Sequence, residues 1–279
     1  MSSSVSIRAR LNNIARKENI SFQVIIVRYI HERLLYRLSV SPYVNQFLLK
    51  GGNFIYAIHG LSSRPTTDID FLGKELSNDI DLIKTIFAEI GNIQCLDTVW
   101  FDTQNILTEP IAEQNQYNGV RLKINAGFDT VEQQIQIDVG FGDKVTPNPI
   151  KLQYPVLLEE VPTPNLFAYT PETVIAEKFQ AMIALSGINS RMKDFYDVYH
   201  LLQTIEISED NLNQAIEITF KNRNTILNRD HSIFTEDFRN DPNRLTMWKA
   251  YLKKIKKPNE ITFQEVMQTI KDRLMPLLK

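Results

Sequence analysis

Asp68 and Asp70 stand two residues apart in "RPTTDID" (64–70), and the apolar residues beside them make this run a strand. Side chains two apart on a strand share a face, so both carboxylates project together while Ile69 and Phe71 turn into a core. Carboxylates held this close repel. Protonating one of them, or placing a divalent cation between them, relieves the repulsion, and hard oxygen ligands suit Mg²⁺. Asp-x-Asp also arises by chance and in other cation sites, so its meaning rests on what surrounds it. In "QIQIDVG" (134–140), Ile135, Ile137 and Val139 form a buried face, leaving Asp138 and Gln136 on the other. This pattern places a third carboxylate on a strand that can neighbour the first. Three carboxylates on adjacent strands make a two-metal site possible, in which one ion activates a hydroxyl nucleophile and the other neutralises a leaving phosphate. Gly51 and Gly52 open a helix, and glycines there let backbone N–H groups approach a phosphate closely.

The elements that position these residues follow from periodicity and punctuation. Two helices are expected in the first 40 residues, the second capped by Ser21 and burying Phe22, Ile25, Ile26, Tyr29, Ile30 and Leu34. A helix is expected at 52–59, a strand at 68–72 and a helix at 78–91. Strands are expected at 99–103, at 119–128 after an Asn118-Gly119 turn, and at 133–141. Pro147, Pro149, Pro155, Pro162 and Pro164 make 144–165 an extended connection between lobes. Beyond it the chain reads as helical: Thr170 and Pro171 open one helix, "RMKDFYDVYHLLQ" a second, and others fall near 208–227, 243–256 and 262–277. The reading is an α/β (α+β) protein, with residues 1–165 as N-terminal helices plus a mixed-sheet core and 166–279 as a helical domain closing the cleft.

Taken together, "KGG" (50–52), "RPTTDID" (64–70), "IQIDVGFGDKV" (135–145), "TPETVIAEKFQAMI" (170–183) and "SRMKDFYDVYHL" (190–201) resemble the AbiEii family of nucleotidyltransferase toxins, within the DNA polymerase β-like nucleotidyltransferase superfamily. The resemblance covers nearly the whole chain in order. It implies a nucleotidyltransferase core, an NTP substrate, Mg²⁺, a place in a toxin–antitoxin or abortive-infection (antiviral) system with a cognate antitoxin, and an RNA 3′ end, tRNA above all, as acceptor. It makes Gly51 and Gly52 the phosphate-contacting turn, Asp68 and Asp70 the metal ligands, Lys178 the motif lysine and Asp194 the acidic residue of the last motif. Fifteen residues separate Gly52 from Asp68, more than is usual in the superfamily, so the intervening loop brings in Arg64 as a γ-phosphate contact or an anchor for Asp70. Asp138 as third ligand comes from the strand pattern. Lys178 lies beside Ile175, Phe179 and Met182 on its helix and can reach a triphosphate as a point charge. Asp194 and Asp197 share a helical face, with Arg191 one turn before Asp194, so Asp194 serves either the chemistry or the placing of Lys178 and Arg191. A small-molecule or protein acceptor, and a non-catalytic nucleotide- or partner-binding role, are the alternatives.

Composition narrows the setting. The 279 residues are 43% hydrophobic, enough for a sizeable core, and charge interrupts every apolar run well before the roughly 20 residues of a membrane span. No membrane segment and a cytoplasmic location are expected, and "MSSSVSIRAR" is taken as mature protein. The single cysteine, Cys95, rules out an internal disulfide framework or a Cys-rich zinc site and reads as a small buried residue; the four histidines show no ligand spacing. The net charge of −2 conceals segregation: residues 1–50 carry 8 basic and 2 acidic side chains, 51–220 carry 10 and 24, and 221–279 carry 13 and 7. An acidic middle can hold cations and basic ends a polyanion. "KAYLKKIKK" (249–257) has five lysines in nine residues, either a phosphate grip or a solvated helix end.

Overall fold

A computed structural model of the chain describes residues 4–113, 116–226, 228–257 and 261–278. It divides into two compact units, Met1–Gly142 with Pro149–Ala168, and Asp143–Asn148 with Tyr169–Lys279.

The first unit opens with helices α1 (Ser4–Lys17) and α2 (Phe22–Ser39). Ser21 starts α2 by accepting the Val24 N–H, one of the donors that a helix start leaves without a partner. There follow β1 (Phe47–Lys50), α3 (Gly51–His59), β2 (Asp68–Gly73), α4 (Ile80–Gly91), β3 (Trp100–Phe101), β4 (Leu107–Glu113), β5 (Gln116–Phe128), β6 (Val131–Phe141), β7 (Ile150–Gln153) and β8 (Asn165–Ala168). The strands form one mixed sheet in the order β3-β5-β6-β2-β1-β8-β7, with β4 also on β5. The β2–β6 and β1–β8 pairs are parallel; β1–β2 and β5–β6 are antiparallel.

Register gives the sheet two unlike faces. Ile69 pairs with Ile137 and Phe71 with Val139, Leu122 and Val120 continue those rows on β5, and all six are buried. This apolar face meets α4 through Phe87, whose ring lies 5.1 Å from Phe47 and 6.1 Å from Phe71, and meets α2 through Tyr29, 5.4 Å from Phe128. The alternate positions carry Asp68, Asp70, Gln136, Asp138 and Arg121, so the sheet's other face is polar where these strands adjoin.

Three expectations differ from the structure. Asn118 and Gly119 lie inside β5, not in a turn; Gly119 is flanked on both sides by strands, and a Cβ there would press on the Val139 carbonyl oxygen, so close strand approach explains the glycine. The proline-rich stretch contains β7, paired antiparallel with β8 at the sheet edge, and the prolines fall outside the paired residues because proline cannot donate to a ladder. Cys95 is partly exposed, although its surroundings still push its thiol pKa up, through burial first.

The second unit is helical: α5 (Pro171–Leu185), α6 (Met192–Thr204), α7 (Glu209–Asn222), α8 (Glu236–Asn240), α9 (Pro242–Lys254) and α10 (Phe263–Leu274). Thr170 caps α5 with Pro171 following, and Thr262 with Glu265 forms a reciprocal capping box on α10. Residues 143–148 are tied to the start of α5. The Thr146 N–H donates to Thr173 Oγ1 (3.0 Å), and the Thr146 carbonyl accepts from the hydroxyls of Thr170 (2.7 Å) and Thr173 (2.9 Å). Among the described residues, no helix is long and apolar enough to cross a membrane.

Candidate active site

The carboxylates of Asp68, Asp70 and Asp138 come together on β2 and β6. One oxygen from each lies within 4.8 Å of the others, and all three residues are half-buried. Parallel pairing of β2 with β6 sets Asp70 opposite Asp138 and Asp68 opposite Gln136. The same row continues outward, with Lys50 opposite Asp70 on β1 and Arg121 opposite Asp138 on β5. Four adjacent strands therefore carry Lys50, Asp70, Asp138 and Arg121 side by side, two anions between two cations.

Arg121 holds Asp138 by a fork: Nε donates to Oδ1 and Nη2 to Oδ2, both at 2.8 Å. Bidentate pairs of this kind fix orientation as well as charge. The hydrogen bonds to Asp138, more than any other influence, raise the guanidinium pKa above its ordinary value. Gln136 Nε2 donates to Asp138 Oδ2 at 3.2 Å, and Glu109 on β4 lies 3.5 Å from Arg121 Nη1. Asp68 is held from another side. The Thr66 hydroxyl donates to its Oδ1 (2.7 Å), and the Asn53 amide donates to its backbone carbonyl (2.7 Å). Asn53 is itself fixed by the Tyr154 hydroxyl, 2.7 Å from Asn53 Oδ1.

Gly51 and Gly52 explain themselves here. Gly51 has φ +64°, in the left-handed region that penalises a side chain, and a Cβ on it would collide with Asp70 Oδ2. A Cβ on Gly52 would collide with Thr66 Oγ1, the group that holds Asp68. The helix start thus packs backbone directly against the carboxylate cluster, with α3's first N–H groups beside it. Arg64 is nearly buried in the loop that leads to β2, with Nη1 3.2 Å from the Pro65 carbonyl.

Lys178 and Asp194 lie in the second unit. Lys178 Nζ on α5 is bracketed by Asp194 Oδ1 (2.7 Å) and Asp197 Oδ2 (2.9 Å) on α6, and Arg191 Nε sits 2.7 Å from Asp194 Oδ2. The two aspartates are fully buried, and Ile175, Phe179 and Met182 are buried as the helical pattern required. A neighbouring cluster joins Arg223 to both oxygens of Asp143 (3.1 and 2.9 Å), to Gln180 (3.0 Å) and to Glu177 (3.4 Å).

Sequence reasoning passed over Arg121, Asn53, Thr66 and Arg223. Only the first left a signal. The β5–β6 register turns on Asp129 and Thr130, and a two-residue turn there dictates the pairing of Arg121 with Asp138.

Three hard carboxylates at one point, backed by backbone amides and flanked by cations, form a donor set that fits a divalent ion together with a phosphate. Residues 33–269 match the model of the family described as nucleotidyl transferase AbiEii toxin, type IV TA system. The chain belongs to this family. Among solved structures, it is similar to a candidate nucleotidyltransferase from H. pylori, with a TM-score of 0.53, 15% identity, and coverage of 92% of this chain and 96% of that one. JHP933 from Helicobacter pylori gives a TM-score of 0.54 at 15% identity, with 92% of each chain covered. At such identity the likeness shows a shared fold. No protein of curated function matches significantly. The AbiEii assignment makes the protein a nucleotidyltransferase and a toxin of a type IV toxin–antitoxin system, which implies an antitoxin partner.

Proposed function

We propose that the protein transfers a nucleoside monophosphate from an NTP to the terminal hydroxyl of an RNA, with a tRNA 3′ end as the foremost acceptor, in the cytoplasm. The observation that carries the reading is the convergence of Asp68, Asp70 and Asp138 within 4.8 Å beside the glycine turn. In the reaction the acceptor oxygen bonds to the α-phosphorus as the bond to pyrophosphate breaks, and the acceptor proton passes to solvent or to a carboxylate. Asp68, Asp70 and Asp138 would hold Mg²⁺, which supplies charge neutralisation at the phosphates and a lowered pKa for the attacking hydroxyl.

The chain's own groups do the positioning. Thr66 and Asn53 fix Asp68, Arg121 fixes Asp138, and Gly51 and Gly52 present backbone donors to the triphosphate. Arg64 and Lys178 are the cations assigned to the triphosphate, and Asp194 orients Lys178 through their 2.7 Å contact. Purified protein with Mg²⁺, total RNA and each α-labelled NTP in turn should label an RNA band from one NTP. Asp68→Ala and Asp70→Ala should each lower labelling by about 10³-fold, because removing a charge-stabilising group from a phosphoryl-transfer site costs that order. Equal labelling by those variants, or none by the native protein, would sink the proposal.

A further inference from the structure

Helix α9 presents a face that the transferase reading leaves without a task. Its inner side is firmly anchored. Arg244 donates to the Asn189 (3.1 Å) and Gly187 (2.6 Å) carbonyls and stacks on Phe238 at 3.8 Å; Trp248 Nε1 donates to the Ile261 carbonyl at 2.9 Å; and Leu252 is buried. Its outer side and the turn after it carry Lys249, Lys253, Lys254 and Lys256, all exposed. Residues 242–257 contain no Asp or Glu, and no carboxylate of a described residue pairs with any of these four lysines. Four like charges on one short surface repel unless an anion is shared among them, and the helix C-terminus accounts for only the last turn.

Rings border the lysines. Tyr251, one turn before Lys254, lies 5.7 Å from Tyr196, and His200 lies 4.1 Å from Tyr196 and 5.4 Å from Tyr199. Tyr199, His200 and Tyr251 are partly exposed, and Lys257 Nζ sits 5.6 Å over the Tyr196 ring. Lysines that track a backbone beside partly exposed rings that can stack on bases are the chemistry by which proteins hold unpaired nucleic acid. An acidic protein would use the charge but not the rings.

We propose that the α6–α9 face of the C-terminal unit docks an unpaired RNA strand, with phosphates on Lys249, Lys253, Lys254 and Lys256. As a surface for the acceptor, the assignment rests on the transferase reading. The test is anisotropy of a fluorescent single-stranded RNA titrated with the intact protein at several salt concentrations, comparing native chain with the K249Q/K253Q/K254Q variant. Single-strand binding loses about 0.7 of salt slope per phosphate contact, so three lost contacts should flatten the slope by about 2 and weaken binding by about 100-fold at 0.1 M salt. The variant should melt like the native protein, since the three positions are exposed. Unchanged slope and affinity would overturn the surface, and so would tighter binding of a duplex of equal length. Native RNA labelling with unaffected binding in the variant refutes the surface alone. Lysine-dependent RNA binding with no labelling by any NTP refutes the transferase reading alone, leaving an RNA-binding face of another purpose.

Discussion

At the scale of single residues, the site depends on how three carboxylates tolerate one another. Arg121 spends both donors of its fork on Asp138, so it offsets repulsion in the cluster and also fixes the carboxylate's rotamer. These two effects can be separated. Arg121→Gln removes a cation beside three anions, so Mn²⁺ should bind severalfold more tightly, while nucleotide transfer should fall by about 10- to 100-fold because Asp138 is no longer held in line. Arg121→Lys restores the charge without the fork and should return the metal affinity more fully than the rate. Mn²⁺ titration followed by electron paramagnetic resonance, beside the labelling assay, reads both quantities; a variant with native metal affinity and native rate would show that the fork is mere sheet decoration. The three aspartates and two glycines were legible because strand alternation and a glycine pair are local signals. The Arg121 fork left only an indirect signal, the two-residue turn at Asp129 and Thr130 that sets the hairpin register.

At the scale of elements, α2 couples the core to the site through two neighbouring buried groups of opposite habit. His31 is fully buried, with the Asn53 amide nitrogen 3.4 Å from its Nδ1. Burial, outweighing the Asn53 bond and the nearby Asp68, with Arg28 acting the same way, lowers its pKa from 6.5 to about 4. Glu32, on the next residue, is pushed by burial from 4.5 to about 7, against Arg33 and the Leu157 N–H, with Asp97 adding to the rise. The unfolded chain therefore takes up the His31 proton first on acidification, and stability from His31 is lost as pH falls from 6.5 to 4. For Glu32 the folded chain holds the proton longer, and its stabilisation is lost as pH rises from 4.5 to 7. Each contributes a slope of up to about 1 kcal/mol per pH unit, opposed between 4.5 and 6.5. Relative to the native protein, Glu32→Gln should thus melt progressively lower as pH drops through that window, and His31→Gln progressively higher. Parallel melting curves for all three proteins across pH 4.5–6.5 would refute the coupling. Helices such as α2 and α5 were readable from apolar spacing and caps, whereas β1, β4, β7 and the five-residue α8 are too short, or too dependent on a pairing partner, to announce themselves.

At the scale of the whole molecule, the two units carry charge clusters of inverse arrangement. In the first, Lys50 and Arg121 flank Asp70 and Asp138; in the second, Asp194 and Asp197 flank Lys178. The inverse arrangement makes Lys178 hard to interrogate by simple deletion. Lys178→Met takes the 2.9 Å ammonium contact from buried Asp197 and leaves buried Asp194 with Arg191, and should cost about 3–5 kcal/mol, since an uncompensated buried charge is far dearer than a missing pair. Lost activity in that variant would then say nothing about the reaction. Neutralising the buried groups together answers the difficulty: Lys178→Met with Asp194→Asn and Asp197→Asn keeps similar volumes, leaves Arg191 charged at a half-exposed position, and should recover most of the lost stability. If transfer of nucleotide stays about 100-fold or more below native in this refolded triple variant, the Lys178–Asp194–Asp197 cluster acts in the reaction and not only in folding. If transfer returns along with the melting temperature, Lys178 serves only to hold α5 against α6, and the cation for the triphosphate must be sought at Arg64 or Lys50.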